Sequence, residues 1–422
     1  MSRTFDLPFG QRALRLSLPE TAEVDVLVTS AAEAEEDEAG IVSRALQNPV
    51  GSPPLGEVVN QGQTAVVATS DNTRPCPTPQ LLPPILGELK AGGISPDDTK
   101  VVVALGLHRP LSSKELRELV GPEVYGSVEV INHNPANVVR VGWTRAGTPV
   151  DLFRPVVDAD VRVGLGNIEF HYFAGYSGGG KSILPGCAGE QTVSANHALM
   201  VEPGAQVGVL ENNPVRADLE EGVAQVGLEF ILNAVVDRNH RLVAAVAGDA
   251  TRAHRQGCRI LARRDAVKID RKTDIVAVSS GGAPFDLNLY QAQKALENAG
   301  AVVRDGGVVI WVAECPEGYG NSTFERWMRQ AETPEQVMDR IARRFILGGH
   351  KAAAIASVQL RAEVYLVSAM GVLQDACGVV GFSDLDTALQ AAMEKVGVNP
   401  SVAVLPHGSS TFPIPDGVAE AL

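Results

Sequence analysis

Three short runs constrain the fold of this chain more than any other feature: residues 65–69, 100–105 and 161–165. Each is dominated by β-branched and small apolar residues with no polar alternation, so a strand built from it must be covered on both faces. Such strands belong to parallel sheets flanked by helices. Each run also opens into a polar loop. The first is followed by Ser70-Asp71-Asn72-Thr73-Arg74-Pro75, the second by Gly106-Leu107-His108-Arg109-Pro110, and the third by the glycine-rich stretch 166–200. Helical segments are expected at 80–89 and 113–120, the latter capped by Ser112 or Ser113. Strand, loop and helix in repetition make a doubly wound sheet, in which ligands lie off the C-terminal ends of the strands. All three loops therefore face the same side.

The pattern then runs on and restarts. Strands are expected at 206–210, 229–237 and 241–247, and a helix at 250–264 leads into the charged segment Asp270-Arg271-Lys272-Thr273-Asp274. A fresh strand follows at 275–279, with others at 307–314 and 362–368, a glycine- and tryptophan-containing loop at 317–327, and helices at 334–345 and 350–359. A chain of 422 residues is also long for one core. We therefore expect an α/β protein of two domains, each with a mostly parallel sheet flanked by helices. Residues 1–268 form an N-terminal cofactor-binding and catalytic domain, and 269–422 a C-terminal domain supplying substrate-binding residues, with the active site in the cleft between them. The first sixty residues read as a small β-rich lead-in with strands at 13–18 and 24–28. The acidic run 31–40 reads as a solvated, partly helical surface.

Composition excludes several function classes. A net charge of −14 argues against nucleic acid or an anionic membrane as partner. An anionic substrate would have to be drawn in by a local group of cations. The N-terminus lacks a basic segment followed by an apolar run, and no apolar stretch approaches the roughly 18 residues of a membrane helix. Five scattered cysteines with no C-x-x-C pair read as the reduced set of a cytoplasmic protein without structural zinc.

The chemistry concentrates in 166–200. Residues 175–182 read G-x-x-x-x-G-K-S, the spacing of a phosphate-cradling loop, which makes a P-loop nucleotide-binding enzyme one alternative. In such a loop a long helix begins at the lysine, whereas here Pro185-Gly186 follows almost at once, so the helix is expected to start later, near Thr192. Lys181 instead stands in an irregular loop between His171 and His197. A lysine amine suits covalent attachment of a cofactor or substrate, and an imidazole is the commonest protein ligand for nickel, zinc or copper. His108, His171 and His197 together allow a second alternative, a three-histidine metal-dependent hydrolase or lyase. By strand geometry the Asp71-x-x-Arg74-Pro75 loop is at the same site, and Pro75 holds Arg74 extended. In the second domain, Tyr290, Gln291 and Lys294 share a face of an expected helix from Leu289 onward.

The run H-x-F-A-G-x-S-G-G-x-K-x-I-L-P-G-x-A-G followed by N-H, residues 171–197, resembles the lactate racemase family. The resemblance implies an isomerase, a racemase or epimerase acting at C2 of a 2-hydroxy acid. Its cofactor would be a nickel-pincer nucleotide, a pyridinium-derived mononucleotide tethered through a thioamide to Lys181 and supplied by cofactor-biosynthesis proteins. It further implies that His171 and His108 are the two acid/base catalysts and that His197 ligates nickel. Arg74 would bind the substrate carboxylate, with Tyr290, Gln291 and Lys294 opposite it. Asp71 would contact the cofactor or orient its neighbours, and Gly178, Gly179 and Gly180 would line the cofactor. The implied mechanism is proton-coupled hydride transfer through a 2-keto acid. One departure is Cys76, where the family more often has threonine.

Overall fold

The computed structural model describes residues 2–29, 37–237, 239–370, 377–397 and 399–415. The chain divides into two compact units, Ala31–Arg264 and Met1–Ser30 with Asp265–Ala421. The charged segment near 270 does lie close to a division. The first thirty residues, however, belong with the C-terminal unit, which differs from a boundary that leaves residues 1–268 in one piece.

The first unit is built on a six-stranded sheet. From one edge to the other its strands are Leu242–Gly248, Phe230–Val236, Val161–Asn167, Ala65–Ser70, Thr99–Ala104 and Glu129–Asn132. Only the first pair is antiparallel. Its middle strands are mostly apolar because both faces are covered. Val67, Val101 and Leu165 pack with Leu81, Leu82 and Ile85 of the helix Thr78–Ala91 on one side. Val66, Ala68 and Val102 pack with Ile183, Leu184 and Leu219 on the other. Strand order reverses beside Ala65–Ser70: the chain goes next to Thr99–Ala104 on one flank and later to Val161–Asn167 on the other. A crevice opens off the C-terminal ends at such a reversal, and the Asp71 loop and the 168–180 segment leave from its two walls. The helix Ser113–Val120 starts where the sequence places it, with Ser112 and Glu115 forming a complete capping box.

The second unit has its own six-stranded sheet, parallel throughout. Its order is Val380–Phe382, Glu363–Val367, Val303–Val312, Thr273–Ser279, Ser401–Leu405 and Glu23–Val26. The last strand is the reason the N-terminus belongs here: Val24 and Val26 pair with Val402 and Val404. The preceding hairpin, Ser2–Phe9 with Arg12–Pro19, adds Leu7, Phe9, Leu16 and Leu18 to the core that holds Ile275 and Ile310.

Two expectations fail locally. Residues 206–210 form no strand; Gly208 at φ +74° turns the chain, and its amide donates to the Gly175 carbonyl. The expected loop 317–327 contains most of a helix, Ser322–Gln330. Asn321 caps it, and Phe324, Trp327 and Met328 form its buried stripe at helical spacing. The acidic run 31–40 lies mainly outside the described residues, and a helix Glu38–Gln47 begins at its end. Among the described residues, no helix is long and apolar enough to cross a membrane.

Candidate active site

In the first unit, the loops predicted to carry the chemistry converge at the strand ends. After the strand Ala65–Ser70, Asp71 is almost fully buried at 3 % exposure. Its Oδ1 accepts from the Thr73 amide and hydroxyl at 3.2 and 2.6 Å. Its Oδ2 lies 2.6 Å from His108 Nδ1. Burial works to raise this carboxyl, but the hydrogen bonds from His108 and Thr73 outweigh it and hold it below the ordinary range. An ionised carboxylate can only accept, so His108 carries a proton on Nδ1 and its Nε2 is the basic nitrogen.

The His108 loop is tied to the Lys181 loop through backbone. The Gly106 amide donates to the Gly186 carbonyl at 2.9 Å, and the Gly186 amide to that of Lys181 at 3.0 Å. Lys181 lies in a single short 3-10 turn, Gly179–Ser182, and the next helix is Glu190–Ala198. The strand-loop-helix context of a P-loop is therefore missing. The loop's backbone is also already engaged. The Gly179 amide donates to Asn233 Oδ1 at 2.7 Å, His254 Nε2 is 2.8 Å from the Ser177 carbonyl, and Arg216 donates to the carbonyls of Ala174 and Tyr176. The tandem glycines are demanded by packing. Gly178 and Gly179 have φ of +77° and +59°, and a Cβ on Gly179 would come within 2.8 Å of His254.

Phe173 joins the three residues singled out in this stretch. Its ring centroid is 4.6 Å from that of His171 and 5.0 Å from that of His197, and Lys181 Nζ stands 5.8 Å over it. His171 Nδ1 accepts from the Ala174 amide at 3.3 Å, which puts its neutral proton on Nε2, the opposite setting from His108. Burial lowers the His171 imidazole well below its usual value, helped by the charges of Lys181 and Arg74, so it is neutral at pH 7. Burial lowers the Lys181 ammonium in the same way, with Arg216 and Arg74 adding to it.

His197 is held through its neighbour. Its Nδ1 is 3.2 Å from Asn196 Oδ1, while Asn196 Nδ2 donates to the Val215 carbonyl and to Asp218 Oδ2 at 3.1 and 2.9 Å. Those two acceptors fix which end of the amide is oxygen, so His197 Nδ1 must be the donor and the lone pair is on Nε2. That is the tautomer a metal ligand needs. Asp218 is held in turn by Thr144 and Thr148. Among the described residues, no three His, Cys, Asp or Glu side chains come together to hold a metal. Among the described residues, His108, His171 and His197 therefore do not come together as a protein-built metal centre. The residues do fit a metal brought in on a charged nucleotide: Arg74 sits within electrostatic reach of Lys181, and His197 carries an imidazole of the kind nickel takes.

In the second unit, Asn288 caps the helix Leu289–Val302 by accepting from the Gln291 amide at 3.1 Å. Gln291 and Lys294 are exposed on its polar face beside the half-buried Tyr290. The Tyr290 ring packs edge-on against Phe324 and lies under Lys351 Nζ at 5.5 Å.

Sequence reasoning missed Arg216, Asn233, His254 and Asn196. Three of them are scattered over other elements, and their buried roles leave no local pattern. Asn196 directly precedes His197, a position from which an orienting amide could have been sought.

Residues 9–208 match the family model described as the lactate racemase N-terminal domain, and 268–412 that of the lactate racemase C-terminal domain. The chain is similar to a lactate racemase of Thermoanaerobacterium thermosaccharolyticum, 36% identical over 349 residues, covering 80% of this chain and 81% of that protein. It is similar also to a lactate racemase of Lactiplantibacillus plantarum, 32% identical over 344 residues, covering 79% and 80%. The solved lactate racemase apoprotein from T. thermosaccharolyticum superposes with a TM-score of 0.85 at 32% identity, covering 98% of this chain and 100% of that one. A Thermotoga maritima protein at 18% identity and TM-score 0.60, covering 91% and 99%, shares the fold.

Proposed function

The chain belongs to the lactate racemase family and is an isomerase, and from this we propose that it racemises lactate or a related 2-hydroxy acid with a nickel-pincer nucleotide carried on Lys181. The observation that supports this reading best is the inequivalence of two imidazoles on neighbouring loops. His108, with its Nδ1 proton fixed by Asp71, has a basic Nε2 suited to taking the hydroxyl proton. His171, neutral with its proton on Nε2, is suited to hydrogen-bond and polarise the carbonyl that develops. Racemisation requires the hydroxyl proton to be taken and returned as the two faces of C2 exchange, and His108 and His171 are assigned that task.

When bound, the nickel-pincer nucleotide would accept and return the C2 hydrogen as a hydride. Around it, Lys181 would provide the covalent tether, His197 Nε2 the protein's ligand to nickel, and Arg74 a cation for the substrate carboxylate. Asp71 acts through His108. Gly178, Gly179 and Gly180 let the loop lie close against its supports, so that the lysine is presented from a fixed backbone. Tyr290, Gln291 and Lys294 are assigned to the substrate anion. The enzyme would work in the cytoplasm and depend on cofactor-biosynthesis proteins for loading.

The test is protein purified from a host that makes the cofactor. Wild type should show an intact-mass increment and nickel, and should interconvert the lactate enantiomers. Lys181→Ala should lack the increment while remaining folded, because truncating a partly exposed loop lysine costs little stability. An unchanged increment on that variant, or full activity of apoprotein given nickel or zinc salt alone, would overturn the proposal.

A further inference from the structure

Arg216 is the buried ion that the proposed chemistry leaves without a task. It lies in the first turn of the helix Pro214–Ala224 and is wholly shielded from water at 0 % exposure. Its guanidinium donates to the Ala174 carbonyl from Nε and Nη2, at 3.3 and 3.2 Å, and to the Tyr176 carbonyl. These are the residues between His171 and the glycine loop. From the same helix, Leu219 and Val223 press on Gly180, where an added Cβ would meet them at 3.4 and 3.3 Å. One helix therefore supports the backbone of the Lys181 loop at both ends.

The charge of Arg216 is poorly compensated. Its Nη1 has no hydrogen-bond partner. The neighbouring carboxylate, Glu220, stands 3.8 Å away and is already engaged by Arg255 at 2.6 and 3.0 Å. Other groups do not cancel it. Burial pushes the Cys258 thiol up to about 12, which keeps it uncharged. Burial likewise keeps His254 neutral, as it does His171. The groups facing Lys181 are thus Arg216 from the helix, Arg74 from the Asp71 loop, neutral His171 and His254, and the Phe173 ring.

We propose that Arg216 is a positioning residue that primes Lys181 for acylation, anchoring its loop through the Ala174 and Tyr176 carbonyls and holding a buried positive charge within electrostatic reach of the amine. A half-buried lysine placed near another cation loses its proton readily, and the bare amine is the nucleophile. With an activated acyl donor, the Lys181 nitrogen forms the N–C bond, the leaving group departs with its electron pair, and the surplus amine proton passes to water. The inference rests on the reading of Lys181 as the tether, but it concerns the apoprotein.

The experiment is acetylation of the nickel-free protein by p-nitrophenyl acetate over a range of pH, with each lysine's rate read by peptide mass spectrometry. Lys114, a surface lysine with 85% side-chain exposure, is the internal reference. In wild type, Lys181 should react with a half-maximal pH well below that of Lys114. Arg216→Met should move the Lys181 profile toward that of Lys114 and slow its labelling at neutral pH by about tenfold or more. Arg216→Lys, which keeps the charge, should retain most of the rate. Coincident Lys181 and Lys114 profiles in wild type, or no labelling of Lys181, would overturn the inference whether or not the variants fold. So would an Arg216→Met profile identical to wild type. A reactive Lys181 in a protein that never gains a cofactor mass would instead count against the proposed function alone.

Discussion

Asp71 reaches His108 through one oxygen, Oδ2. Because Oδ2 fixes the Nδ1 proton of His108, Asp71→Asn should let the ring take the other tautomer and lower kcat by about 10- to 100-fold, with KM for the acid little changed. Steady-state kinetics in both directions would check this, and an unchanged kcat would contradict it. If each serves one face as proposed, His108→Ala and His171→Ala should each lose about 10²–10⁴-fold in both directions. A variant of either kind with near wild-type turnover would remove that histidine from the mechanism. The same logic applies to His197, the proposed nickel ligand. Asn196 Oδ1 orients His197, so Asn196→Leu should weaken nickel retention by about 10- to 100-fold. Nickel released during dialysis against a chelator measures this without any assay of turnover.

At the scale of elements, the helix Ser113–Val120 carries a separable prediction. Its Ser112 cap accepts from the Glu115 amide at 3.3 Å, just beyond the His108 loop. Ser112→Ala should cost about 1 kcal/mol of stability, seen as a lower urea midpoint with an unchanged slope. This cap was legible because a capping box is a local pattern four residues long. The buried strands were legible for a similar reason: unbroken runs such as residues 65–69 can only sit between two covered faces. Three features were not. The run 206–210 has strand composition, but Gly208 turns there to meet Gly175, a tertiary contact with no sequence signature. The strand Glu23–Val26 is readable as a strand, yet its partner Ser401–Leu405 lies far along the chain, and so the unit it joins was misassigned. Arg216 carries no local pattern that marks it out, and it is fully buried. The P-loop spacing shows the converse case, in which a local motif appears without the helix that gives it meaning.

For the whole molecule, several buried histidines predict an acid limit. His133 is 1 % exposed, its two nitrogens lack hydrogen-bond partners, and burial lowers it from 6.5 to about 4. Burial also lowers His254 and His171, and brings His350 to about 3. In each case the unfolded chain takes up the proton first. The unfolded state therefore binds more protons as pH falls below 6.5, and stability is lost from there downward until the folded histidine also titrates. The shift at His133 alone corresponds to at most about 3 kcal/mol. Urea unfolding should weaken steadily between pH 6.5 and about 4, and His133→Phe should flatten part of that slope. A flat stability profile over this window would contradict the burial argument. The central claim is that this enzyme moves the C2 hydrogen as a hydride while its histidines handle only the hydroxyl proton. It is tested most directly by racemising one enantiomer of lactate with cofactor-loaded enzyme in D2O and reading deuterium at C2 of the product. The account predicts none, because the hydride never mixes with solvent. Full incorporation of deuterium at C2 would mean that a protein base removes that hydrogen as a proton, and would contradict it.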